Sequence, residues 1–457
     1  MSDAAAPAPA FQGYGVKGYR AYVLGVLVVI YTFNFIDRLL ISIVQESIIE
    51  DFGVSNFLMG LLGGPVFAIL YTFLAIPIAR MAERANRVTI VSIGAALWSA
   101  MTAACGFAGN FVQLALCRLG VGIGEAACVP PSQSVIADYF PADRRASALA
   151  IFSLGIPFGS ALAAVGGGWL IAHFDWRTAF WLLGAPGVIA ALLLKFTVKE
   201  PPRSGTQVAP PSFGETLKAL SKKASFWHVA FGGALISFVG YGSSQFLVSH
   251  MVRNYEIGAT LPEEIAHASY ALGAIAGIAT GLGTFLGGFL ADRLQPRNPR
   301  VQAWLPALGM AIAIPLYIAS FAQTEFMYAF GFLLLAPIFH YMYLGPMYGI
   351  IHGSAQPRQR ATAVAIALFI VNLIGYGLGP PFVGFANDFF ASNILAESGL
   401  TLAQCDPRTV LPENAATCAV AQGTGLKYAL GTTIFVLAWG ALHFLLAGRT
   451  VVKDRVS

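Results

Sequence analysis

Apolar runs near the roughly 20 residues that cross a bilayer as helix follow one another along almost the whole chain. Read between charged or Pro-rich breaks, they fall near 21–47, 56–79, 88–107, 111–137, 146–172, 178–198, 226–252, 266–291, 302–323, 326–350, 361–387 and 425–448. A chain with this pattern is expected to fold as an all-α polytopic membrane protein with twelve transmembrane helices. The composition points the same way: 11% of the residues are charged and 57% hydrophobic, whereas a soluble domain carries about 25% charged residues. So few charges cannot cover a wet surface.

Lysine and arginine set the expected orientation. Of 27, 21 lie in the termini and in the loops around 80–87, 144–145, 195–223, 293–300 and 358–360. The opposite loops and adjoining span ends hold Arg177, Arg253, Arg408 and Lys427, and away from the span ends only Arg38 and Arg118 fall within spans. The positive-inside rule then places both termini in the cytoplasm, as expected for a multi-pass protein of a bacterial inner (plasma) membrane. The start, "MSDAAAPAPA", is small, polar and Pro-rich, and the apolar run after it is too long for a signal-peptide core. The net charge of +5 does not point to nucleic acid, because the basic residues fall where membrane topology puts them. The expected organisation is a tail over 1–18, a six-helix bundle over 19–198, a cytoplasmic linker over 199–224, a second six-helix bundle over 225–448 and a tail over 449–457. The linker contains "FGETLKALSKK", which reads as a short amphipathic helix at the membrane surface.

The two halves repeat each other. "ARMAERANR" follows the second span and "GFLADRLQPR" the eighth, so that Glu83-Arg84 aligns with Asp292-Arg293. "RASALAIF" from Arg145 aligns with "RATAVAIA" from Arg360. Matches at one place in each half indicate a duplicated unit, a plan that occurs in transporters. G-x-L-A-D-R between the second and third span of each half resembles the signature of the major facilitator superfamily. The second copy keeps Gly288, Asp292 and Arg293, while the first has Ala79, Glu83 and Asn86 at the corresponding places. The resemblance implies two pseudo-symmetric six-helix bundles and secondary transport by alternating access. Glu83, Arg84, Asp292, Arg293, Arg145 and Arg360 are then candidates for a cytoplasmic gate, the acids pairing with basic residues or a helix terminus; static surface ion pairs are the other reading.

Four charges stand inside apolar spans: Asp37, Arg38, Arg118 and Glu125. Each costs about 2.5–3.5 kcal/mol at mid-membrane if unpaired, so they pair, face a watery cavity, or do both. In "CRLGVGIGEA", Glu125 follows Arg118 by seven residues and returns to nearly the same helix face. Gly122 lies between them on that face, while Gly120 and Gly124 fall on the back, where small residues let a helix approach. Asn34 shares a face with Asp37, and Arg38 is turned about 100° from it. The economical pairing is Asp37 with Arg118 across a cavity; a buried pair that only fixes packing is the alternative.

Asn34, Asp37-Arg38, Arg118 and "GIGEA" ending in Glu125-Ala126 together resemble the Spinster family of lipid transporters, which includes carriers of sphingosine-1-phosphate and lysophospholipids. Organic anion–cation symporters show a related pattern. The Spinster resemblance implies Asp37 as the proton-titrating site, with Arg118 and Glu125 in coupling or headgroup contact. The second half has no acid at mid-span but has "YGSSQF" and "FHYMYLGPMY". Tyr241, Ser244, Gln245, His340, Tyr341 and Asn372 are therefore candidate substrate contacts with Asn34, Arg118 and Glu125, although aromatic packing explains the second run equally and His340 taken alone reads rather as a hydrogen-bonded packing residue. A charged half facing an apolar, aromatic half suits an amphiphile. The breaks "VPPSQS" and "NLIGYGLGPP" mark bending points in spans four and eleven.

Cys105, Cys117 and Cys128 fall inside spans and read as packing residues. Cys405 and Cys418 share the long outer loop expected over 388–424, where a disulfide is plausible in an oxidising compartment. No metal-site spacing accompanies them, and no P-loop, G-x-S-x-G or H-E-x-x-H is present. The expected protein is a monomeric carrier, not an enzyme, without cofactor or metal. Its partners are membrane lipids, protons and an amphiphilic substrate such as a lysophospholipid, or else a small organic anion or drug.

Overall fold

The computed structural model describes residues 13–141, 144–202, 213–356 and 358–456. Residues 1–12 of the expected tail, 203–212 of the expected linker and Ser457 lie outside the described residues. Among the described residues, twelve helical segments are long and apolar enough to cross a membrane: Lys17–Ile43, Asn56–Ala82, Arg87–Cys105, Phe111–Tyr139, Ser147–His173, Trp176–Thr197, Ala224–Asn254, Leu261–Leu294, Val301–Ala322, Phe326–Ser354, Arg360–Glu397 and Pro412–Asp454. They are called spans one to twelve below, spans one to six forming the first half. The 22 residues of span six give about 33 Å of helix, enough to cross the hydrocarbon.

Polar residues at the breaks start the helices. Asn86, Asn110 and Asp175 each accept a hydrogen bond from the backbone N–H three residues on, at 2.8, 3.0 and 2.7 Å, satisfying donors that a helix start leaves without partners. The N–H of Thr178 holds the Asp175 carboxyl below its usual range. Glycines then let spans three and four touch, as the sequence pattern predicts for the back of span four. A Cβ on Gly124 would lie 2.6 Å from the backbone nitrogen of Trp98, and one on Gly120 would meet Met101. The outer surface carries exposed apolar side chains such as Ile93, Phe196, Phe285 and Trp439, suited to lipid rather than water.

Three spans change pitch, widening to a π-helix at Ala163–Gly167, Ile275–Ala279 and Val371–Tyr376. The first and third lie in spans five and eleven, equivalent elements of the two halves, and the third coincides with the predicted break. Span four turns at Ala126–Cys128, just before "VPPSQS".

The far-side loop of the second half is shorter than its polarity predicts. Span eleven runs to Glu397 and span twelve starts at Pro412, so most of 388–424 is helical. Small residues explain it: a Cβ on Gly425 would lie 2.8 Å from the backbone nitrogen of Ala391, so the two helices stay in contact beyond the apolar stretch. Cys405 and Cys418 are joined, with Cα atoms 5.4 Å apart. At the other side a helix forms over Phe213–Leu220, with Thr216 and Leu220 buried. Span twelve continues to Asp454, into the segment expected as tail; the Asp454 carboxylate accepts from Ser225 N at 2.8 Å, and its carbonyl accepts from Lys223 Nζ at 2.8 Å.

Among the described residues, every side-chain hydrogen bond between the halves lies on the side away from the termini, and joins residues 45–57 to residues 245–253, Asp388 or Gln422. Deeper between the halves the contacts are aromatic, Phe67 with Tyr376 at 5.2 Å and Phe73 with Phe369 at 5.4 Å between ring centroids.

Candidate functional site

Spans one and four bring the four intramembrane charges into one buried cluster, but not in the pairing the helix faces predict. Arg38 Nε donates to Glu125 Oε2 at 2.7 Å. Arg118 Nη1 donates at 3.2 Å to the backbone carbonyl of Asp37, not to its carboxylate. The expected Asp37–Arg118 carboxylate–guanidinium pair is thus replaced by Arg38–Glu125. The cause is geometric. The turn of about 100° between neighbouring helix positions sends Arg38 towards spans two and four, and Asp37 towards Thr102 of span three. Arg38 thus meets the acid of span four, whereas Asp37 is hydrogen-bonded to Arg118 through its backbone carbonyl.

Aromatic rings finish the setting. The Arg38 guanidinium carbon lies 4.6 Å from the centroid of Tyr71 and 5.3 Å from those of Phe35 and Phe67. The same atom of Arg118 lies 5.4 Å from the Phe67 centroid. Phe67 therefore serves two cations, and ring faces stabilise each by about 0.5–2 kcal/mol. Gly122 makes this possible, because a Cβ there would lie 2.8 Å from the Phe67 carbonyl. The glycine on the charged face of span four thus leaves room for span two. Tyr376 meets Phe67 and stacks on Tyr241, with centroids 4.5 Å apart, so the second half offers aromatic surface opposite the charges.

The cluster keeps unused hydrogen-bonding capacity. Asn34 is fully buried beside Glu125, yet neither atom of its carboxamide makes a hydrogen bond of good geometry. The same holds for Nε and Nη2 of Arg118 and for Oε1 of Glu125. Buried polar atoms in folded proteins are nearly always paired, and these five unpaired atoms all belong to the one charged cluster.

Other candidates scatter. Tyr241 and Ser244 stay near the cluster's aromatic wall, with Ser244 Oγ donating to the Tyr241 carbonyl at 3.2 Å. Asn372 sits half-buried in the π-helical turn of span eleven. Gln245 instead donates to Gln45 Oε1 at 2.7 Å across the far-side boundary. His340 is a satisfied core residue, its two ring nitrogens 3.2 Å from Tyr317 Oη and from the Ile236 carbonyl, and Tyr341 stacks on it.

On the terminal side Glu83, Arg84, Asp292, Arg293 and Arg360 are exposed, and none of the six ion pairs among the described residues includes them or Arg145. Arg145 and Arg360 donate instead to the carbonyls of Phe140 and His352. The charge hub there is Arg87, which is 3% exposed, bridges Asp138 and Glu200, and donates to the Pro201 carbonyl. It ties spans three, four and six within the first half. The sequence reading passed over Arg87, although it closes the quoted "AERANR". It also missed Phe67, Tyr71 and Tyr376, which no spacing distinguishes from ordinary apolar residues.

Comparisons agree with this architecture. The family model described as Major Facilitator Superfamily matches residues 27–380. The crystal structure of a bacterial homolog to the human lysosomal transporter Spinster, inward-facing and unoccupied, superimposes with a TM-score of 0.87 at 38% identity, covering 97% of this chain and all of that one. An MFS-type efflux pump of Mycolicibacterium smegmatis is 34% identical over 381 residues, 82% of this chain and 86% of the pump. Protein spinster homolog 1 of Xenopus tropicalis is 28% identical over 455 residues, 96% of this chain and 82% of that protein. With twelve spans, a duplicated plan and these matches, the chain belongs to the Major Facilitator Superfamily and is a Spinster-like secondary transporter.

Proposed function

We propose that this transporter moves an amphiphilic lipid of the lysophospholipid or sphingosine-1-phosphate type by alternating access, with proton movement as the driving step. The observation that carries the reading is the asymmetry of the interior: Asp37, Arg38, Arg118 and Glu125 sit in the first half, and an aromatic wall of Tyr241 and Tyr376 in the second. A charged headgroup finds partners on one side and an acyl chain finds apolar surface on the other.

The roles follow from the geometry. Arg118 keeps two guanidinium nitrogens without protein partners, and a guanidinium fork suits a phosphate or carboxylate. Asp37 is the negative group beside it. A proton on the Asp37 carboxylate removes that negative charge, leaving Arg118 to an anionic headgroup, and releasing the proton restores competition for it. Glu125 and Asn34 then face the cationic or hydroxyl part of the headgroup. Glu83, Arg84, Asp292, Arg293, Arg145 and Arg360 would act when the terminal side shuts, which in this reading is the cytoplasmic side. The far-side hydrogen bonds between the halves fit a conformation open towards the termini.

A second reading, export of small organic anions or drugs, is favoured by the efflux pump at 34% identity and uses the same arginines. Uptake of labelled lysophospholipid into proteoliposomes, with and without an imposed pH gradient, separates the two. Gradient-dependent movement that falls about 100-fold or more in Asp37→Asn is expected, the lower end of what a positioned proton-transfer group contributes. Movement that ignores both gradient and substitution overturns the coupling. No lipid movement, with folded protein that still moves an organic anion, favours the export reading.

A further inference from the structure

Groups that neither the repeat motifs nor the charged cluster uses join the halves on the far side. Asp388 of span eleven reaches across the boundary to the start of span two. Its Oδ1 accepts from the backbone N–H and the Nδ2 of Asn56, at 3.3 and 3.0 Å, and its Oδ2 accepts from Phe57 N at 2.9 Å. These backbone N–H groups begin a helix and have no acceptor within it, and a carboxylate there also meets the positive end of the helix dipole. Span two has its own cap in Ser55, whose Oγ accepts from Leu58 N at 3.3 Å. Asp388 covers the donors that Ser55 leaves. It is a helix cap supplied by the other half of the molecule.

A second contact stands beside it. Arg253, at the end of span seven, donates through Nε and Nη2 to the two oxygens of Glu46, at 3.0 and 2.9 Å. Their side chains are 11% and 10% exposed. Gln422 joins both contacts, its Oε1 accepting from Asn56 Nδ2 at 3.1 Å and from Arg253 Nη1 at 3.5 Å. Glu46, Asn56, Arg253, Asp388 and Gln422 all border a cavity of about 710 Å³ under the Cys405–Cys418 hairpin. Its walls give water a place to enter when the contacts part, so separation exposes these groups to solvent instead of leaving them buried and unpaired.

We infer that the Asp388 cap and the Glu46–Arg253 pair form the latch that holds the far side shut, and that Asp388 sets how often that side opens. The inference rests on the alternating-access reading above but not on the cargo. Each of these contacts crosses the boundary between the halves, so they are made when the halves close here and lost when they part. Asp175 is the contrasting case: it caps span six from within the first half and has no part in closure.

The test uses full-length protein in nanodiscs, without cargo or pH gradient. Cys105, Cys117 and Cys128 are replaced by alanine, the Cys405–Cys418 bond is kept, and spin labels are placed at the exposed positions Glu50 and Ser398. Double electron–electron resonance then reads the distance between the halves. The expected result for Asp388→Ala is a rise of roughly tenfold in the ratio of long to short distances, the size of effect a lost cap produces. Asp388→Asn and Glu46→Gln shift it in the same direction, and either serves if Asp388→Ala does not fold. Asp388→Glu restores part of the short-distance population. Unchanged distances in folded Asp388→Asn and Glu46→Gln overturn the latch. So does an equal shift in Asp175→Ala, which would reduce the effect to general loosening. Failure of the lipid assay leaves this measurement untouched.

Discussion

Arg38 occupies the position at which the sequence and the structure part company most usefully. Its place beside Asp37 predicts an independent role, because neighbouring helix residues face different ways. Direction was legible and reach was not: a long side chain turned away from Asp37 crosses to Glu125 and settles among Phe35, Phe67 and Tyr71. Which charge meets which depends on how spans one, two and four lie against each other, and one chain's spacing does not encode that. The pair has energetic consequences. Breaking a buried ion pair by removing one partner costs about 3–5 kcal/mol, because the other charge stays buried. Arg38→Ala is therefore expected to lower thermal stability in detergent sharply, and Arg38→Met with Glu125→Gln to recover much of the loss. If the double variant is no more stable than the single one, the pair is not what Arg38 contributes to the fold.

At the scale of the element, helix starts are where local sequence rules read best. Asn86, Asn110 and Asp175 sit at breaks in the apolar pattern and cap spans three, four and six. The ends of spans eleven and twelve were less legible. Hydropathy marks where apolar residues stop, whereas these helices pack closely at Ala391 and Gly425 and run on to Glu397 and from Pro412. Asp175 gives a prediction with a definite sign. Its carboxyl is held below the ordinary value, chiefly by the N–H of Thr178, so the cap favours the ionised form. A depressed native value means that the stabilisation is complete above the unfolded carboxylate's range near pH 3.9 and is lost as pH falls through the native value. Asp175→Ala should cost about 1 kcal/mol near neutral pH, and the gap in melting temperature from the unsubstituted protein should narrow as pH falls below about 4. A gap independent of pH from 7 to 3 would mean that the carboxylate's charge contributes nothing to the cap.

Across the whole molecule the duplication and the twelve spans were readable because both are written in local patterns. The boundary between the halves was not, since Asn56 and Asp388 are 332 residues apart and no motif marks either. At the same boundary glycines let the backbones of the two halves approach closely. A Cβ on Gly384 would lie 2.2 Å from the Asn56 carbonyl, and one on Gly60 would lie 2.5 Å from the Pro380 carbonyl. Backbone cannot yield as a flexible side chain does, so a larger residue at either place must push spans two and eleven apart. Because the halves are separate bundles, the strain is relieved by parting them, not by unfolding one. Overpacking typically costs about 1–3 kcal/mol, and here that falls on the far-side-closed state alone, which shifts the conformational ratio roughly 5- to 160-fold. Gly384→Val should therefore speed maleimide labelling of a cysteine placed at Val54, in the far-side cavity wall, with little loss of melting temperature. Gly124→Val, which clashes with Trp98 inside the first half, should do the reverse and lower stability without opening the far side. If both variants unfold and neither labels faster, the two halves do not move as separate bodies about this boundary.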